Sequence, residues 1–257
     1  MKVAPASGAY FDYGQACMKT ILLLFSVLLL VARGAPACAE PGRSVVNMTE
    51  TQGPYGGGRA YLPVRFGGVM GAMRLDTGAS TSRIALAPWN RDFPAIGKSE
   101  SLAVSGQVSL CDDVEARNVE IKAVAGANIG RAKYVVTRCE AGEELLGLDF
   151  FKGTRFTLNF IDKNMVFFDP SSSGVSPQPF QLLGPDHRLL GIPLHVGATT
   201  VSGLFDTGAE VSAVDQQFVQ THRNLFKFVK HGQRADGAGG GGFAPDVYRL
   251  KKLDFGD

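Results

Sequence analysis

The chain has 257 residues, 45% of them hydrophobic, enough for one large domain or two smaller lobes with substantial cores. Its 26 basic and 24 acidic side chains leave a net charge of +2 with no long basic run, which excludes the electrostatic footprint of a nucleic-acid binder. Glycine is abundant, at 32 residues, and favours turn-rich β structure over helix.

From Met18 the sequence reads Met-Lys-Thr, then an apolar run from Ile21 to Ala32, then small residues at Ala37 and Ala39. A basic start, an apolar core and a small-residue site predict a leader and signal peptide over 1–39, cleaved after Ala39. The run falls short of the roughly 20 residues a bilayer crossing needs. No stable membrane span is therefore expected after cleavage, and the expected location is periplasmic or secreted. Cleavage removes Cys17 and Cys38. Cys111 and Cys139 remain, either as a disulfide or as two separate buried thiols, and the sequence leaves both open. His187, His195, His222 and His231 lack the spacing of a metal site, so neither metal nor other cofactor is expected.

Residues 40–58 are polar and rich in Gly and Pro, and read as an entry segment with little structure. A strand follows over Tyr61 to Phe66, a hairpin turn at Gly67-Gly68, and a return strand over Val69 to Leu75 that delivers Asp76. Ser80 to Leu86 leads out and Pro88-Trp89-Asn90 breaks the segment. Ser99 to Leu110 alternates around a hairpin tip at Ser105-Gly106-Gln107, and further strands are expected over Val119 to Val124 and Tyr134 to Val136. Leu145-Leu146-Gly147 comes next. Thr154 to Phe160 then turns at Asp162-Lys163-Asn164 and pairs back over Met165 to Phe168. Residues 170–185 read as a linker. Beyond it lie strands over Leu190 to Val196 and Val201 to Phe205, Asp206, a short helix within Val214 to Phe228, and a glycine run at 237–242. Tyr248 to Phe255 looks like the counterpart of the strand near Val119.

The chain repeats itself. Slid by 130 positions, residues 62–84 match 192–214 at Pro63, Gly67, Asp76, Thr77, Gly78, Ala79 and Ser82, with most other positions apolar against apolar. Such an internal duplication predicts an all-β protein of two homologous lobes related by a pseudo-two-fold axis, the first over 40–169 and the second over 186–257. Leu145-Leu146-Gly147 begins 69 residues after Asp76, so its twin would fall near 275. The second lobe is accordingly expected to be completed beyond this sequence, as part of a longer protein, or by another subunit.

Two lobes face to face would bring Asp76 and Asp206 together. Neighbouring carboxylates cannot both ionise comfortably, so they hold one proton between them and titrate as a dyad. Such a dyad can take a proton from a water attacking a peptide carbonyl while giving one to the carbonyl oxygen. Gly78 and Gly208 let each loop turn tightly, and the Thr77 and Thr207 hydroxyls can reach the opposite backbone. The bland alternative is that both acids are turn residues.

With Asp76-Thr77-Gly78-Ala79, Asp206-Thr207-Gly208-Ala209 and Leu145-Leu146-Gly147, the chain resembles the aspartic proteases, in particular their retropepsin-like (retroviral-type) branch. The resemblance implies that the strand of Leu145-Leu146-Gly147 threads behind the catalytic loop. It also implies Gly-tipped flaps, at Gly106 and around Gly239 and Gly240, and endopeptidase action on an extended peptide or protein segment bound as a strand. Pepsin-like members carry Ser or Thr after the motif, where this chain has Ala79 and Ala209, so an optimum less acidic than pepsin's is expected. Glu210 in place of Ser80 adds a third carboxylate, as retroviral enzymes allow. Two further readings stand beside the single-chain enzyme: a protease-like module that binds peptides without cutting them, and a homodimer of first lobes using two copies of Asp76. Whether the protein is a monomer or a homodimer is open on the sequence.

Overall fold

Gly58–Phe66 buries every second side chain from Ala60 to Phe66, as a strand with one face on a core must, and the first half is built around it. The computed structural model describes residues 42–53, 56–102, 108–168, 181–184, 188–232, 235–236 and 242–255. Its strands in the first half are β1 (Arg43–Asn47), β2 (Thr49–Gln52), β3 (Gly58–Phe66), β4 (Val69–Leu75), β5 (Arg83–Ala85), β6 (Ala95–Leu102), β7 (Val108–Ile121), β8 (Ile129–Cys139), β9 (Leu145–Leu146), β10 (Arg155–Asn159) and β11 (Asn164–Phe168). The second half adds β12 (Gln181–Leu183), β13 (Leu189–Val196), β14 (Thr199–Leu204), the helix α1 (Gln216–Thr221), β15 (Phe226–His231), β16 (Ala235–Asp236), β17 (Gly242–Phe243), β18 (Asp246–Leu250) and β19 (Asp254–Phe255). The fold is all-β, with α1 as its one α-helix among the described residues.

Eight strands of the first half form one sheet in the order β2-β3-β4-β9-β5-β8-β7-β6, and β3 also pairs with β7. A second sheet, β1-β11-β10, contributes Val46, Met165 and Phe167 to the same core as Leu62, Leu75, Ile84, Leu146 and Phe150. Full burial of side chains of this size contributes roughly 1.5–3 kcal/mol each. That core keeps the Asp76 end of β4 stiff.

The second half repeats the opening hairpin of the first. β3 and β4 pair as Phe66↔Val69 and Pro63↔Ala72, and β13 and β14 pair as Val196↔Thr199 and Pro193↔Ser202, each pairing 130 positions on. Both hairpins turn through a glycine at positive φ, Gly67 at 57° and Gly197 at 65°, where a side chain would be strained. β12 lies on β13 as β2 lies on β3. Leu194 faces Phe255 of β19 as Val64 faces Ile121 of β7.

Several expectations need correction. Residues 40–58 are not an unstructured entry: β1 and β2 lie there, because Val46 and Met48 reach the core from a polar-looking stretch. Val119 to Val124 is not a separate strand but the far end of β7, and Tyr134 to Val136 is the middle of a longer β8. The end of the expected linker is strand β12, held on β13 through Leu182↔Leu190. The leader 1–39, the rest of the linker over 170–180, and the flap candidates Gly106, Gly239 and Gly240 lie outside the described residues.

Candidate active site

Asp76 directly follows β4, and Asp206 follows β14 after the single residue Phe205, so the repeated hairpin delivers an acid at the same point twice. Thr77 Oγ1 donates to Phe205 O at 2.6 Å and accepts from Thr207 N at 3.0 Å. Thr207 Oγ1 donates to Leu75 O at 2.9 Å and accepts from Thr77 N at 3.1 Å. These four reciprocal bonds tie the two loops together, and each contributes about 1 kcal/mol net.

The glycines set how close the acids come. A Cβ on Gly78 would lie 2.4 Å from Asp206 Cγ, and one on Gly208 would lie 2.5 Å from Asp76 Cγ. Each carboxylate thus occupies the space that any other residue would fill in the opposite loop. Each is also oriented by its own loop: Gly78 N donates to Asp76 Oδ1 at 3.1 Å, and Gly208 N to Asp206 Oδ1 at 2.8 Å. Burial, and then the neighbouring Asp76 charge, push the Asp206 carboxyl above the ordinary carboxylate value.

The Leu145-Leu146-Gly147 strand lies behind the first loop. β9 runs parallel to β4 through Leu75↔Leu146 and antiparallel to β5 through Arg83↔Leu145. Asp76 N donates to Leu146 O at 3.0 Å, and Leu148 N to Ala79 O at 2.9 Å. Gly147 admits this crossing, because a Cβ there would stand 2.7 Å from the Thr81 backbone. Ser82 Oγ accepts from Gly147 N at 2.8 Å and donates to Asp149 Oδ1 at 2.9 Å, while Tyr134 Oη donates to Asp149 Oδ2 at 2.7 Å. Burial, and then the Asp149 charge, hold the Tyr134 hydroxyl well above its usual range, so it serves as a donor. Among the described residues no strand lies on the corresponding edge of β14.

Cys111 and Cys139 are joined by a disulfide between facing strands β7 and β8.

Sequence reasoning missed the charged groups around Asp76. Arg74 Nη2 donates to Asp76 Oδ2 at 2.7 Å, and the two side chains are only 4% and 9% exposed. Arg74 Nη1 pairs with Glu143, which also binds Arg59 at 2.7 Å, and Arg59 Nε stands 3.2 Å from Glu210 of the second loop. Burial pulls the Arg59 guanidinium down, but Glu143 and Glu210 outweigh it and leave it above its ordinary value. Arg83 is lowered by burial and then by the nearby Arg74. A signal existed. Arg74 aligns with Leu204 in the repeat, and a charge within a buried apolar strand requires a partner.

No protein-family model and no curated protein sequence matches the chain. Among solved structures it is similar to a retropepsin-like aspartic protease from Rickettsia conorii, with 14% identity over 50% of this chain and 91% of that one, at a TM-score of 0.30. It is also similar to basic 7S globulin from soybean, with 10% identity over 60% of this chain and 58% of that one, at a TM-score of 0.39.

Proposed function

We propose that the chain is an aspartic-type endopeptidase whose catalytic residues are Asp76 and Asp206 of the same polypeptide. The observation that carries this is the mutual packing of the two loops, each carboxylate seated where the opposite glycine has no Cβ. Two carboxyls at such separation share a proton, and one water between them can lose a proton to one acid while the carbonyl oxygen gains one from the other. No covalent intermediate is required. The substrate would be a peptide or protein segment lying extended across the loops. A dyad completed within one chain favours this reading over a homodimer built from two copies of Asp76.

Export through the 1–39 leader fits the same reading, and the Cys111–Cys139 disulfide supports it, since such bonds persist in oxidising compartments. A second reading, a module that binds peptides without cutting them, is favoured by one observation: Arg74 already occupies Asp76 Oδ2.

One experiment separates the two. A peptide in which a tetrahedral hydroxyl replaces the scissile amide should bind the full chain at least about 100-fold more tightly than the parent peptide, and the parent should be cleaved. Equal affinity for both peptides, with no cleavage, would identify the binding module.

A further inference from the structure

On the peptidase reading, the two acids divide one proton, yet the chain surrounds them unequally. Arg74 from β4 contacts Asp76 directly. Arg83 from β5 lies within electrostatic reach of Asp76, and Asp206 faces it from the other loop. β9 brings only the apolar Leu145 and Leu146, while Glu144 gives its backbone carbonyl to Arg74 N. Glu143 holds the far side of the Arg74 guanidinium, and Arg59 and Glu210 continue the chain of charges. Asp206, in contrast, forms no ion pair with a basic side chain among the described residues; Gly208 N donates to it, Asp76 faces it, and the Arg74 charge reaches it without a direct contact. The position in the second repeat that corresponds to Arg74 is Leu204.

We propose that Arg74 is a positioning residue that places the negative charge of the dyad on Asp76 and the shared proton on Asp206, making Asp76 the general base and Asp206 the general acid. The guanidinium stabilises a carboxylate and not a carboxylic acid, and Glu143 keeps it from swinging toward Asp206. In the first step a water forms a C–O bond to the peptide carbonyl carbon. Its proton passes to Asp76 while the Asp206 proton passes to the carbonyl oxygen. Asp76 then returns its proton to the amide nitrogen, Asp206 takes one from the resulting gem-diol, and the C–N bond breaks. The dyad ends in its starting state. The arginine thus gives direction to a pair that the duplication alone would leave near equivalence.

The test uses the full chain as wild type, Arg74→Gln and Arg74→Lys, each checked for cooperative thermal unfolding. Two quantities are followed: the pH dependence of kcat/KM for a cleaved peptide, and the carbonyl signals of carboxyl-13C-labelled aspartate, assigned with Asp76→Asn and Asp206→Asn. In the wild type, at a pH between the two titration steps of the dyad, the Asp76 signal should be that of a carboxylate and the Asp206 signal that of a carboxylic acid. In Arg74→Gln the two signals should converge and the acid limb of the pH profile should rise by about one pH unit or more. Arg74→Lys should restore the wild-type pattern in both. A folded Arg74→Gln protein with wild-type signals and limb, or a folded Arg74→Lys protein that behaves like the Gln variant, overturns the proposal. Absence of cleavage in every variant, with the signals split as stated, would sink the peptidase reading while leaving the charge placement supported.

Discussion

The two copies of the repeated hairpin share register and turn but not support. β4 lies between β3 and β9, and Leu75 at its end is wholly buried, as is Ile84 of β5. β14 is paired on one side only among the described residues, and Leu204, Val211 and Val214 are each more than two-fifths exposed. Among the described residues the connected core ends at Phe167, and the second half contributes only Val196 and Val219 to the buried apolar residues. The same local sequence therefore yields one acid on a rigid platform and one on a lighter support. What aligns the lighter loop is its bonds to the rigid one. Two of the places where the repeats differ in charge, Arg74 against Leu204 and Glu210 against Ser80, stand at opposite ends of the chain Arg74–Glu143–Arg59–Glu210. These electrostatic ties between the loops lie on top of the hydrogen bonds that both threonines make.

The largest expected contrast is in packing. Leu75→Ala should cost about 2–5 kcal/mol in a urea unfolding experiment, the range for a fully buried leucine, while Leu204→Ala should cost well under about 1 kcal/mol. Equal costs would mean that β14 is as well supported as β4. Next come the threonines, where the halves should behave alike. Thr77→Val and Thr207→Val each remove two of the four bonds between the loops and should each cost about 1–2 kcal/mol by the same measurement.

The smallest effect concerns pH. Asp206 is raised above its ordinary value of 3.8 by burial and by Asp76, so the folded state holds that proton more tightly than the unfolded one. Its contribution to stability is present below the ordinary value and is lost as pH rises through the raised one. Asp206→Asn should therefore melt slightly higher than wild type near neutral pH, with the gap closing toward pH 3. A gap that widens on acidification would contradict the assignment.

Much of the site is legible from residues alone. The doubled Asp-Thr-Gly, the apolar approach strands, and Leu145-Leu146-Gly147 at its distance from Asp76 carry the hairpins and the strand behind the first loop, because each depends on local alternation and on glycines at close approaches. β1, β2 and β12 were hidden for the opposite reason. They are short segments, polar-looking in β1 and β2 and set in a Pro- and Ser-rich stretch in β12, whose strand character comes from pairing with β11, β3 and β13. Arg74 announces itself only as a charge out of pattern. That its partners are Asp76, two residues on, and Glu143, 69 residues on, is a fact of folding that no spacing rule contains.

The most direct test of a dyad formed within one chain is the peptide-cleavage rate of Asp76→Asn, Asp206→Asn and an equimolar mixture of the two, measured across a range of protein concentrations. Each variant alone should lose turnover by at least about 1,000-fold, and the mixture should recover none. Retained cleavage by Asp206→Asn, rising with the square of protein concentration, would contradict the account, because two first halves would then be supplying both acids.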